Sequence, residues 1–258
     1  MRLAIALLGV LGATQAPDLA TWLACVELSW LALALHSPAE VRQRSALLGA
    51  AHALVVVSLG VLAGPTQPAG PTGADLFVGI WICCIAARTF AHHRSAPAVH
   101  ALLPLAGTLP LLRGMALLGL GSASGFVETP LIAGCIALSI AALLPGPPLA
   151  RAGAALQAAW WLSVVCGATP APLAAVVWVL AVAATRRPPG GLLHALGWVA
   201  VAGLLPGGAL SARWAVLPQA WDAGLSGLAA LVAACSVPIA IAGLSRAATP
   251  TPQGLSPR

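Results

Sequence analysis

Charged residues are scarce in this sequence. Only 7% of its 258 residues are charged, lysine is absent, and Asp and Glu together number 6. Soluble domains carry about 25% charged residues, so this composition excludes an ordinary water-facing surface and large domains outside a membrane. The formal net charge of +6 therefore indicates membrane topology rather than nucleic-acid binding.

The motifs of redox and hydrolytic enzymes are missing as well. The sequence has no P-loop, no dinucleotide-binding glycine motif after a strand, no nucleophile elbow and no haem-attachment motif. We therefore expect no cofactor, no metal and at most a non-redox role in any enzyme complex. The six cysteines lie in apolar runs without metal-ligand spacing and are expected to be small buried hydrophobic residues: Cys25, Cys83, Cys84, Cys135, Cys166 and Cys235.

Long apolar runs occupy most of the chain instead. Hydrophobic residues make up 60% of it, and a membrane-spanning helix needs about 20 residues, most of them apolar. The pattern predicts an all-α fold, a polytopic transmembrane helix bundle of about ten spans over residues 1–247, followed by a polar tail at 248–258. Breaks at proline, glycine and charge place the spans at 3–16, 19–36, 45–63, 75–92, 97–119, 127–145, 151–167, 170–186, 191–217 and 222–245.

Two of these segments need separate interpretation. The first begins like a signal peptide, with one arginine, an apolar run and small residues, but strongly apolar spans follow at once and favour a retained helix. The segment 191–217 contains Leu205-Pro206-Gly207-Gly208 and is predicted to be a broken helix. Non-helical backbone at membrane depth is tolerated only inside protein or beside a wet cavity.

Arginines alternate between the predicted loops. If the N-terminus is cytoplasmic, every arginine-bearing loop lies inside, and short loops rich in arginine stay on that side. Both termini are then cytoplasmic. We expect an integral membrane protein, of the bacterial inner membrane or an equivalent energy-transducing membrane. The inner loops carry Arg2, Arg42, Arg44, Arg88, Arg94, Arg151, Arg186, Arg187, Arg246 and Arg258, and the outer loops carry Asp18, Asp75, Glu128 and Asp222.

Charged residues within the spans are the candidate functional residues. Each costs at least about 2.5–3.5 kcal/mol at mid-membrane and marks a functional site by default. Glu27 is central in its span and cannot snorkel, so a functional role is favoured. Arg213 lies near a span end, which leaves functional and structural roles both open, and a structural role is favoured for Arg113.

Histidines are weaker candidates. Imidazole titrates near neutral pH and suits proton relays. His92 and His93 lie at an inner helix end, where a solvated or helix-capping role is the ordinary one. His52 lies inside the third span. We retain these three histidines as possible relay groups.

Five stretches carry a resemblance, in chain order: 3–35, 44–65, 85–110, 137–167 and 202–244. They resemble the antiporter-like membrane subunits of respiratory complex I, most closely subunit N. In the first stretch, Glu27 lies in ELSWL, where the family carries the buried glutamate of its proton channel. Arg88 falls at the position of a channel lysine, with His93 near the family's histidine. Arg213 falls at the lysine of the broken penultimate helix.

The resemblance implies an antiporter-like fold and a place beside other membrane subunits of a multi-subunit respiratory-type complex in the lipid bilayer. It implies a contribution to proton translocation that is coupled to a redox module elsewhere. Glu27 would be the protonatable group, with Arg88 and Arg213 as its cationic partners. It also implies that three N-terminal helices and the last helix of a fourteen-helix subunit are not in this sequence.

Departures from the family keep other interpretations open. Arginine stands at 88 and 213 where the family has lysines. Near Thr108 the sequence lacks the third lysine of the family. Because arginine stays charged, Glu27 and Arg88 would form a fixed ion pair in a structural subunit that has lost its channel. Related hydrogenases, Mrp-type antiporters and bicarbonate-uptake complexes use the same subunit type. The break near 205–208 also suits an independent transporter of small solutes.

Overall fold

In a computed structural model of the chain, the described residues are 2–62, 74–92, 95, 97–118, 125–168, 172–204 and 209–248. Within these ranges the protein is all-α, with eleven helices and no strand. The helices are α1 (Arg2–Gln15), α2 (Leu19–Ala34), α3 (Ala39–Leu62), α4 (Ala74–Ala91), α5 (Pro97–Leu117), α6 (Gly125–Leu143), α7 (Pro148–Val165), α8 (Pro172–Ala184), α9 (Leu192–Val201), α10 (Ala209–Asp222) and α11 (Ser226–Ala247).

The predicted all-α class is confirmed, whereas the number of membrane spans stays a prediction. By length and composition, Val99–Leu117 within α5 and Ser226–Ala247 are long and apolar enough to cross a membrane. Each predicted segment holds a helix, and the ninth holds two, α9 and α10. The residues 205–208 that were predicted to break it lie outside the described ranges.

Helix α7 is the central helix. It packs against α5, α6, α10 and α11. Apart from Arg151, which is half-buried, its side chains from Leu149 to Val164 are buried. A helix that is apolar all round is a buried one, and the many alanines of α7 allow its neighbours to approach closely.

Two contacts fix the junction between α1 and α2. The Asp18 carboxylate caps α2 by accepting a hydrogen bond from the backbone N–H of Thr21, which lowers the pKa of that carboxyl. Arg113 on α5 donates from Nε and Nη2 to the Ala16 carbonyl, at 2.9 and 2.6 Å. Arg113 thus joins α5 to the end of α1, as expected of a structural arginine.

Large apolar side chains face outward along one side of several helices. On α3 the exposed side chains recur with helical spacing, and α1, α8 and α11 each show a similar stripe. Polar side chains such as His52, Arg88, His92 and Gln157 are buried instead. Exposed apolar stripes together with buried polar side chains are unusual in a water-soluble bundle. The stripes comprise Leu8 and Leu11, Leu47, Leu54, Val57 and Val61, Val176 and Leu180, and Val237, Ile241 and Leu244.

Candidate functional site

Glu27 lies in the middle of α2, at the side that faces α3 and α4. Its neighbours Trp22, Val26 and Trp30 are buried and anchor the inner face of the helix. This packing brings the Glu27 carboxylate to the edge of the interior, where 30% of its side chain remains exposed.

Arg88 is the direct partner of Glu27. It lies in the last turn of α4 and is buried. Its Nη1 donates to Oε1 of Glu27 at 2.7 Å, and its Nη2 donates to Oε2 at 2.5 Å. Two parallel hydrogen bonds between a guanidinium and a carboxylate form the strongest ion-pair geometry in proteins. Arg88 is therefore an interior residue, whereas the loop-charge count assigned it to an inner loop.

His52 binds the same carboxylate, and Trp81 determines its tautomer. The indole Nε1–H of Trp81 donates to Nε2 of His52 at 3.0 Å, so this ring nitrogen carries no hydrogen. The hydrogen of the neutral ring is then on Nδ1, which lies 2.7 Å from Oε1 of Glu27 and donates to it. Both His52 and Trp81 are buried. Oε1 thus accepts hydrogen bonds from both a cation and a neutral imidazole.

Gly49 makes room for the ion pair on α3. A Cβ atom at this position would overlap Nη2 of Arg88 and would lie 2.9 Å from Oε2 of Glu27. The backbone of α3 therefore passes directly beside the guanidinium and the carboxylate. Only glycine permits this approach without movement of the pair.

A groove between α2 and α3 leads to the pair. Its volume is about 280 Å³, and both Glu27 and Arg88 contribute to its wall. Ser45 and the exposed Arg42 line the same groove one to two helical turns away, toward the start of α3. From the ion pair the groove extends toward the start of α3, the end that is predicted to be cytoplasmic.

A second polar cluster surrounds His92, where α2, α3 and α4 meet. His92 Nδ1 lies 2.9 Å from the Ser37 hydroxyl, and its Nε2 lies 3.2 Å from the Ser45 hydroxyl. The Ser95 hydroxyl lies 2.7 Å from that of Ser37. The Trp30 ring lies between the two clusters, with Arg88 Cζ at 5.2 Å and the His92 ring at 5.8 Å.

A third polar contact extends from α4 toward the centre of the molecule. Gln157 on α7 donates from Nε2 to the Thr89 hydroxyl at 3.3 Å. Thr108 on α5 is buried where the family resemblance places a lysine, and its hydroxyl has no hydrogen-bond partner among the described residues. No cationic group therefore occupies this position of the interior.

The structure brings together four of the six predicted site residues. Glu27, Arg88 and His52 are in direct contact, and His92 belongs to the adjoining cluster. His93 lies outside the described residues. Arg213 lies on α10, which packs against α7 and α11, but its side chain is also outside the described part of the structure.

Several contributors were not predicted from the sequence, namely Trp81, Gly49, Ser37 and Ser45. One sequence signal was present for α3. Ser45, Gly49 and His52 recur at the spacing of one helix face, and this face is buried. A small residue between two polar ones on a buried face indicates a close polar contact. For Trp81 and Ser37 no comparable local pattern exists.

The site brings together a carboxylate, a guanidinium and an imidazole, groups that can form ion pairs or hold a proton. Across the described positions, no three His, Cys, Asp or Glu side chains come together as metal ligands do. The cysteines in these positions are free thiols; Cys84, Cys135 and Cys235 are buried as expected, whereas Cys83 is exposed and Cys25 and Cys166 are partly exposed.

No protein-family model matches the sequence, and no curated protein is significantly similar to it.

Proposed function

We propose that the chain is a polytopic membrane protein, with about ten spans and both termini cytoplasmic, that contributes to proton translocation as a subunit of a complex I-type assembly. The observation that carries the proposal is the position of Glu27. This carboxylate lies in the middle of an apolar helix, paired with Arg88 and His52, at the end of a groove.

The membrane location is supported by the outward faces of the helices. Exposed leucine, isoleucine and valine side chains line α1, α3, α8 and α11, and a water-soluble protein of this size rarely exposes so much apolar surface. Two helices have the length and composition of spans. The alternation of arginine between loops supports the orientation.

The proton chemistry follows from the contacts of Glu27. A proton reaching the carboxylate through the groove would neutralise it, and a neutral carboxyl cannot keep two charge-assisted bonds to Arg88. Arg88 stays charged throughout, so each protonation of Glu27 changes the electrostatic field in the interior. Release of the proton restores the pair. Glu27 is thus the proton-carrying group, Arg88 its counter-ion and His52 the group that orients Oε1.

The partner subunits follow from the exposed part of the site. A carboxylate that is 30% exposed beside apolar Leu31 and Leu35 would contact lipid in an isolated chain. Lipid contact is costly for an ionised group. We infer that another membrane subunit covers the α2–α3 face in the assembly and closes the groove toward the lipid.

One observation favours a second function. The two parallel hydrogen bonds between Arg88 and Glu27 hold the carboxylate in its ionised form. A pair that never opens would make the chain a structural membrane subunit, which packs within the assembly without conducting protons. The two functions differ in whether Glu27 must change its protonation state.

Replacement of Glu27 by glutamine distinguishes them. Glu27→Gln keeps an acceptor for Arg88 but cannot exchange a proton. In energised membrane vesicles that contain the assembled complex, we expect it to abolish most proton translocation through this subunit. The matched control is Glu40→Gln, which removes one carboxylate from the exposed first turn of α3 and should leave translocation unchanged. Full translocation by Glu27→Gln would exclude the channel role and leave the structural one.

A further inference from the structure

A second groove runs along the opposite side of the first helices, between α1 and α8 with α5 as its floor. It consists of two adjoining cavities of about 320 and 480 Å³. Leu7 of α1 and Val179 of α8 line both cavities, so the two cavities adjoin and together extend along α1 and α8. Trp178 of α8 donates to the Ala101 carbonyl of α5 at 2.7 Å and holds one wall against the floor.

The ends of this groove differ in polarity. Arg186 lines one end, whereas Thr14 and Gln15 line the other. Between them the lining is aliphatic, and none of the described lining residues is acidic. The Arg186 side chain is exposed and forms no ion pair among the described residues. Among the described lining residues Arg186 is the one cation, and it stands at the mouth of the apolar groove.

The dimensions favour an acyl chain over a helix. From Leu3 to Gln15 the groove is about 18 Å long at the helical rise of 1.5 Å per residue. One leaflet of a bilayer core is about 15 Å thick. A helix of this length is about 10 Å across and occupies on the order of 1,400 Å³, which is more than the two cavities together hold, so part of it would remain outside the groove.

We propose that this groove binds a phospholipid with an anionic headgroup, whose acyl chain lies between α1 and α8 and whose phosphate pairs with Arg186. Charge complementarity selects the headgroup, because guanidinium groups bind phosphate through paired charge-assisted hydrogen bonds. The inference rests on the membrane location and orientation in the proposed function, which place Arg186 at the inner leaflet. It does not depend on proton conduction.

The test measures lipid binding to the full-length chain, purified in mild detergent, by native mass spectrometry with phosphatidylglycerol or phosphatidylcholine as the probe. We expect phosphatidylglycerol to bind more tightly than phosphatidylcholine. Arg186→Gln should weaken phosphatidylglycerol binding about tenfold or more. Its matched control is Arg187→Gln, which removes the same charge from the next residue outside the groove and should bind nearly as the parent does. Val179→Trp fills the groove and should weaken the binding of both lipids.

Three results would overturn the inference: equal binding by the Arg186→Gln and Arg187→Gln variants, equal affinity for the two lipids, or unchanged binding after Val179→Trp. Cross-linking of a second copy or of another subunit into the groove would also do so. The Glu27→Gln variant separates this inference from the proposed function. If that variant binds lipid normally and also translocates protons normally, proton conduction alone is refuted. If the variant loses translocation but the parent chain binds no lipid, the lipid site alone is refuted.

Discussion

At the scale of single residues, the Glu27–Arg88 pair affects both the stability of the protein and its proposed function. Arg88 is buried, so removal of its carboxylate partner would leave an uncompensated charge inside the protein, at a cost of about 3–5 kcal/mol. Glutamine at 27 avoids part of this cost because its oxygen still accepts from the guanidinium. Substitutions that test the pair should therefore keep the size of the two side chains.

Arg88→Lys tests the two-pronged geometry. A lysine ammonium keeps the charge but cannot make the paired hydrogen bonds of the guanidinium. We expect the variant to be less stable by about 1–3 kcal/mol, measured by thermal unfolding of the purified chain in detergent. Arg42→Lys, at the exposed end of the same groove, is the control and should unfold at the parent temperature. Identical stability of Arg88→Lys and the parent would show that the second hydrogen bond contributes nothing.

Glu27 and Arg213 could be recognised from the sequence because charges inside apolar runs are rare and costly. Arg88 was identified through the family resemblance, although the loop-charge count assigned it to a loop. Its burial depends on the position of α2 beside α4, which no local pattern specifies. The contact between Trp81 on α4 and His52 on α3 likewise joins two residues that are 29 positions apart in the sequence. Such contacts follow from tertiary packing alone.

At the scale of helices, the spacing between α3 and its neighbours depends on one residue. A Cβ at Gly49 would meet both members of the ion pair, and the buried Arg88 has little room to move. We expect Gly49→Ala to destabilise the protein by about 1–3 kcal/mol through overpacking, despite the higher helix propensity of alanine.

Gly227→Ala is the control for this substitution. Gly227 lies in α11, and a Cβ there would meet nothing within 4 Å. This variant should be unchanged or stabilised by about 0.5–1 kcal/mol. Thermal unfolding of both variants in the same detergent gives the comparison. Equal stability of the two alanine variants would contradict the tight approach of α3 to the pair.

The helices themselves were largely predictable, since proline, glycine and charge mark their ends. Two helix ends differ: α3 begins at Ala39 rather than near residue 45, and α10 ends at Asp222 rather than near residue 217. Arg42 and Arg44 were interpreted as loop charges. They continue the helix, and Glu40 in its first turn is favoured by the helix dipole.

At the scale of the whole molecule, the proposed number and direction of the spans rest on the arginine distribution and are open to direct test. In a variant without native cysteines, single cysteines at Ala223 and Arg187 report on the two sides. An impermeant maleimide applied to intact cells or spheroplasts should label Ala223→Cys and not Arg187→Cys. After permeabilisation both should be labelled. Labelling of Arg187→Cys from outside would reverse or refute the proposed topology.

The central claim is that Glu27 changes its protonation state while the assembly works. Infrared difference spectroscopy of energised native membranes measures this directly, through the carbonyl stretch of a protonated carboxyl group. The account predicts a carboxyl band that appears during turnover, is absent from the Glu27→Gln variant and persists in Glu40→Gln. A turnover spectrum that is the same in the parent and in Glu27→Gln would contradict the account and leave the Glu27–Arg88 pair as a static structural contact.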